Sequence, residues 1–111
     1  MTDDLEFRRN ADRAIENLTK ALFAAEDQGG FEVEEQNGVL NIVFEEPAGK
    51  FVITPNAPVQ QIWISALSTS FKLDWNPKDS VFYLPKTGEP LKQLVARLIG
   101  EHLGRDPISL T

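Results

Sequence analysis

The apolar residues of this chain change their period twice, and that order restricts the fold more than any other feature. Phe7, Ala11, Ile15, Leu18, Leu22 and Ala25 recur at steps of three and four, which gathers them on one face of an α-helix. Asp3 stands as its cap with Glu6 three residues on, the spacing of a capping box, and Gly29-Gly30 ends it. The period then falls to two. "FEVEE" turns Phe31 and Val33 inward; Asn37-Gly38 signals a two-residue hairpin; "VLNIVFE" places Leu40, Ile42 and Phe44 on one face. Pro47-Ala48-Gly49 reads as the next turn, and "KFVIT" points Phe51 and Ile53 inward. Pro55 to Pro58 breaks the chain before "QQIWIS", Ser68 to Ser70 turns into "FKLDW", and Pro77-Lys78-Asp79 turns into "SVFYL". The helical period returns in Leu91, Leu94, Val95, Leu98 and Ile99, with Pro90 in the first turn, Gly104 as cap and Pro107 as terminator.

Helix, about six strands joined by short turns, helix: the expected fold is α+β, a two-layer α/β sandwich with both helices on one face of an antiparallel meander. At 111 residues the chain is expected to form one domain, 1–111. The other sheet face is then left to water. In "QQIWIS", Ile62 and Ile64 share the inner face, so Gln61, Trp63 and Ser65 share the open one. A tryptophan among polar neighbours has the composition of a binding hot spot. On these residues alone that reading is balanced by another, in which Trp63 packs on cross-strand neighbours such as a lysine stem.

Charge narrows the partners. The net charge of −6 belongs wholly to residues 1–35, which hold ten acids and four bases; the remainder holds seven of each. Nucleic acid and anionic membranes are unsuited to such a surface. No apolar run approaches a membrane span, and the acidic start carries neither a signal peptide nor an Arg-rich presequence. With no cysteine, disulfides, thiolate metal sites and cysteine catalysis are excluded, and a cytosolic setting is the default. The single histidine, His102, reads as a surface residue near a helix C-terminus. No nucleophile elbow, Gly-rich phosphate loop or HExxH motif is present. The carboxylates remain. Asp12 and Glu16 share a helix face, Glu32 and Glu34 share a strand face, and Glu26 and Asp27 stand where the helix ends. Such groups suit hard cations through oxygen, although charge alone favours a solvated acidic face.

The segment "FVITPNAPVQQIWIS", with its "P-x-x-Q-I-W" from Pro58 to Trp63, the "DW" of Asp74-Trp75, "GVLNIVFE" and the closing "GEPLKQLVARLI" resemble the frataxin family over about residues 4–104. The start, "EFRRNADRAIENL", is similar to its bacterial members. The resemblance implies the same helix-backed sheet. It implies a monomer without enzymatic activity that binds iron (Fe²⁺ or Fe³⁺) weakly through acidic residues, here Asp3, Asp4, Asp12, Glu16, Glu26, Asp27, Glu32 and Glu34. It also implies regulation of iron–sulfur cluster assembly through the cysteine desulfurase and scaffold protein, with Trp63 meeting that complex beside Asn56, Gln61 and Ser65. A bacterial cytoplasm is the implied setting, or a mitochondrial one for a processed chain. Ferrous-iron oxidation and storage, or a metal-independent interaction module, are the alternative functions. The sequence departs from the family where Thr19, Lys20 and Phe23 interrupt the acidic ridge, which weighs against multi-ion binding, and where Pro55 and Val59 replace residues polar in many members.

Overall fold

The computed structural model describes residues 4–104, 108 and 110. Asp3 and Pro107, expected to bound the two helices, lie outside them. Helix α1 (Asp4–Ala25) passes into a 3₁₀ turn at Glu26–Gln28. Six strands follow: β1 (Glu32–Gln36), β2 (Val39–Glu45), β3 (Ala48–Asn56), β4 (Gln61–Ala66), β5 (Thr69–Asn76) and β6 (Val81–Tyr83). Helix α2 (Leu91–Leu103) closes the fold. The strands lie in sequence order and every neighbouring pair is antiparallel, a simple meander.

The periodicities place the core. All eleven apolar residues named for the two helix faces are buried, as are Phe31, Val33, Leu40, Ile42, Phe44, Phe51, Ile53, Ile62 and Ile64 from the inner sheet face. Phe7 of α1 meets Phe82 of β6 edge-on, ring centroids 5.9 Å apart, and Trp75 packs on Phe82 at 4.9 Å. The two tryptophans therefore part company: Trp75 faces the helices, Trp63 the opposite side.

Several boundaries differ from expectation. The turn after β2 is Glu46-Pro47, so Ala48 and Gly49 already belong to β3, opposite Glu45 and Phe44. Pro55 continues β3 opposite Ile62. It is tolerated because β2 reaches only Leu40↔Ile53 in this register; on that side the proline lies past the end of the neighbour, where its missing N–H interrupts no ladder. Pro90 caps α2 rather than entering it, its carbonyl accepting from the Leu94 N–H at 2.9 Å.

His102 is not a free surface residue. Its ring lies on Phe44 (4.1 Å between centroids), meets Phe51 edge-on (5.7 Å), and donates from Nε2 to the Pro47 carbonyl at 2.7 Å. Gly49 makes room for it. The end of α2 is thereby fastened to the β2–β3 hairpin, a contact across 55 residues of chain that no local pattern displays.

The β4–β5 turn is expected to hold strain. Leu67 (φ 52) and Ser68 (φ 60) both sit in the left-handed region, which costs a chiral side chain roughly 1–2 kcal/mol per residue and which Asn-Gly adopts readily. Asn37-Gly38 uses that solution in the β1–β2 hairpin (φ 53 and 81). The double change Leu67→Asn, Ser68→Gly should stabilise the protein by about 1–2 kcal/mol, read as a higher urea midpoint at constant slope. An unmoved midpoint would show the turn to be relaxed.

Ahead of α2, Glu89 accepts from Arg97 Nε (2.7 Å) and Nη2 (2.8 Å) and from the Thr87 hydroxyl (2.8 Å). Glu89 is 11% exposed and Arg97 37%. The hydrogen bonds from Arg97 hold the Glu89 carboxyl below its usual 4.5, against the opposing pull of burial. A lowered folded-state pKa contributes stability above 4.5, lost as pH falls through the lower folded value. Glu89→Gln should therefore cost about 1.5–3 kcal/mol at neutral pH and lessen the loss of stability on acidification, measured by denaturant titration at pH 7 and 3. An equal cost at both pH values would remove the pair from the acid response.

Candidate functional site

The open sheet face carries an ordered polar centre around Trp63. Register sets its parts. Asn56, Gln61, Asp74 and Tyr83 lie opposite one another across β3, β4, β5 and β6, and Thr54, Trp63 and Lys72 form the adjoining row. Gln61 and Trp63, two apart on β4, project side by side. The Gln61 amide joins the rows: its Nε2 donates to Asp74 Oδ1 at 2.8 Å, and its Oε1 accepts the Trp63 indole N–H at 2.9 Å. The partners define the amide's orientation, since a carboxylate can only accept and an indole N–H only donate. Lys72 Nζ lies 4.9 Å from the Trp63 ring centroid, within range of a cation–π contact.

Both readings of Trp63 hold a part of this arrangement. The lysine stem expected of a packing role is there, as Lys72. Yet the half-buried ring keeps an accessible surface, and its only strong donor is already satisfied. A partner would meet the π-surface and the ammonium beside it, in an orientation held before contact. Of the four residues expected to form this surface, Gln61 and Trp63 are joined directly. Asn56 stands in the Gln61 row, and Ser65 lies further along β4, exposed and opposite Val52 and Ser70. Lys72, expected only as an unnamed lysine stem, and Asp74, not anticipated, complete the centre; the signal for both was cross-strand register.

The carboxylates are dispersed. Asp12 and Glu16 line a groove of about 380 Å³ between α1 and the β1–β2 hairpin, where Glu35 joins them; Glu16 pairs with Lys20 at 3.2 Å in the same groove. Glu26 is committed to the fold, its Oε2 accepting the Val33 N–H at 2.9 Å and tying the end of α1 to β1. Asp27 is exposed. Glu32 and Glu34 stand on the open face of the edge strand β1, Glu32 beside Glu45 and Glu46 around a second groove. Asp3 and the side chain of Asp4 lie outside the described residues. Among the described residues, no three Asp, Glu or His side chains converge as a metal-holding group. Each carboxylate cluster can offer a cation one or two oxygens, with water supplying the rest.

Fold and site define a class: a helix-backed antiparallel sheet with one uncovered polar face and an acidic edge. The chain belongs to the frataxin-like family, whose frataxin-like domain matches residues 1–105. Its relatives include an iron–sulfur cluster assembly protein CyaY of Pseudomonas fluorescens, 28% identical over 94 residues (83% of this chain and 84% of the relative). The protein of that name from Pseudomonas paraeruginosa is 30% identical over 94 residues (83% and 86%). A mitochondrial frataxin of Dictyostelium discoideum is 36% identical over 93 residues, 83% of this chain but 45% of that longer protein. Among solved structures, a frataxin of Psychromonas ingrahamii superposes with a TM-score of 0.81 over 98% of both chains at 17% identity, a likeness of fold. No helix of the described residues is long and apolar enough to cross a membrane.

Proposed function

We propose that this protein is a non-enzymatic regulator of iron–sulfur cluster assembly that docks through its open sheet face on the cysteine desulfurase–scaffold machinery, acting as a cytoplasmic monomer. The observation that carries this reading is the Asp74–Gln61–Trp63 relay. Hydrogen bonds spent on holding an aromatic in place on a solvent-facing sheet reduce the ordering cost of a later association. Relatives that share most of the chain are named for iron–sulfur cluster assembly, which supports the process. Weak iron binding is the second part of the proposal. Iron is cargo here, met by Asp12, Glu16, Glu32 and Glu34 with most of its water shell retained. The dispersal of these groups weighs against a ferroxidase centre, which demands a fixed metal geometry.

The test is reconstitution. Added to a desulfurase and scaffold supplied with cysteine and Fe²⁺, the protein should bind the complex and change the rate of cluster formation in either direction. No binding and no rate change would overturn the docking role. Separately, an Fe²⁺ titration followed by NMR should broaden amides within residues 12–34 selectively; uniform or absent broadening leaves a metal-independent docking module.

A further inference from the structure

β6 covers only part of β5. Their register is Asp74↔Tyr83, Trp75↔Phe82 and Asn76↔Val81, whereas β4 accompanies β5 back to Ala66↔Thr69. Residues 69–73 thus form a strand edge that no strand of the described residues pairs. After Tyr83 the chain turns aside, the Thr87 and Gly88 N–H groups closing on the Leu84 carbonyl at 3.2 and 2.7 Å. A groove of about 470 Å³ remains, with residues 69–72 on one bank and Leu84, Lys86 and Arg97 among those on the other.

The groove has two chemically different sides. Phe71, half-buried, and Leu84 lie on the helix side of the sheet; Lys72 projects on the open side. Arg97 is engaged by Glu89 and Glu101, and the remaining ion pair among the described residues is Lys20–Glu16. Lys72 and Lys86 therefore bring two positive charges to the edge, uncompensated by any ion pair there, in a chain of net charge −6. A lysine on an open edge discourages apolar strands from pairing with it. It favours an opposite charge in the cross-strand position.

We propose that the edge of β5 at residues 69–72 accepts an extended acidic segment of a partner protein as an added strand. Acidic side chains of that segment lie beside Lys72 and Lys86, and an apolar side chain between them packs on Phe71 and Leu84. Main-chain hydrogen bonds supply affinity, and the alternation of charge and bulk supplies selection. This surface adjoins the Trp63 centre, with which it shares Lys72.

The probe is a capped eight-residue peptide of alternating Glu and Val, added to the full-length protein at low salt. Expected are amide shifts confined to residues 69–73 and 84–87. Binding should weaken about threefold to tenfold in Lys86→Glu, which removes one partly exposed attraction and adds a like-charge repulsion of similar size. It should disappear when alternate peptide nitrogens on the pairing edge are methylated, and for the peptide with Lys in place of Glu. Binding that survives N-methylation is charge attraction without strand pairing and overturns the proposal. So do shifts centred on Trp63, absence of binding at millimolar peptide, and displacement by millimolar inorganic phosphate, which would mark a small-anion pocket. Concentration-dependent self-association burying the same amides would give the edge to a second copy of the chain, and likewise overturns it.

Discussion

Trp63→Ala is expected to weaken binding to the desulfurase–scaffold complex by about 30-fold or more, the effect of losing an aromatic hot spot, while leaving the fold intact. The ring is half-buried on the side of the sheet that the helices do not cover. Its removal opens no cavity in the core formed by Ile62, Ile64 and Leu73; the loss to the isolated protein is its hydrogen bond to Gln61 and the Lys72 contact. The cation–π contact accounts for about 0.5–1 kcal/mol at an exposed site. Two further variants separate anchor from support. Gln61→Leu keeps the ring but unties it from Asp74, and should cost about fivefold to tenfold through lost pre-organisation. Trp63→Phe keeps an aromatic but surrenders the indole N–H, and should fall between. Calorimetric titration at fixed ionic strength reads all three. If Trp63→Ala bound as tightly as the unaltered protein, the open face would not be the docking surface.

What could be read from the sequence follows from the range of each interaction. Periodicity is local and is enforced by burial, so the two helix faces and the alternating strand residues sorted themselves between core and solvent. That sufficed to place Trp63 outside. What held it there depended on register. A turn centred on Ser68 to Ser70 would set Trp75 opposite Trp63; the observed turn at Leu67-Ser68 sets Lys72 there and brings Asp74 level with Gln61. A shift of that kind exchanges the two faces of a strand. The misleading signal was the polar run from Ser68 to Ser70, while the residues that make the turn adopt a conformation their types do not advertise. The carboxylates were legible as residues but not as sites. Glu26 is taken by the Val33 N–H, and Glu35, outside the acidic set, faces Asp12 and Glu16 across a groove.

Gly49→Ala is expected to destabilise the protein by about 1–3 kcal/mol, the range of an overpacked site, lowering its melting temperature by about 4–8 °C per kcal/mol for a domain of this size. A Cβ at that position would lie 2.5 Å from Cε1 of His102, closer than two carbons can approach. The imidazole can yield only at a cost. Phe44 and Phe51 bound it, and its Nε2–H is bonded to the Pro47 carbonyl; moving away forfeits both the ring contacts and a hydrogen bond worth about 0.5–1.5 kcal/mol. The cause can be isolated with His102→Ala. That variant alone should also be destabilised, since it unfastens the end of α2 from the hairpin. With the ring gone, however, no other atom lies within 3.4 Å of the added methyl, and Gly49→Ala should cost little. The expected non-additivity is about 0.5–3 kcal/mol, the scale for residues in direct contact, measured from urea midpoints of the four proteins at one pH. An equal cost in both backgrounds would place the clash elsewhere. The strand would then require glycine for a reason other than His102.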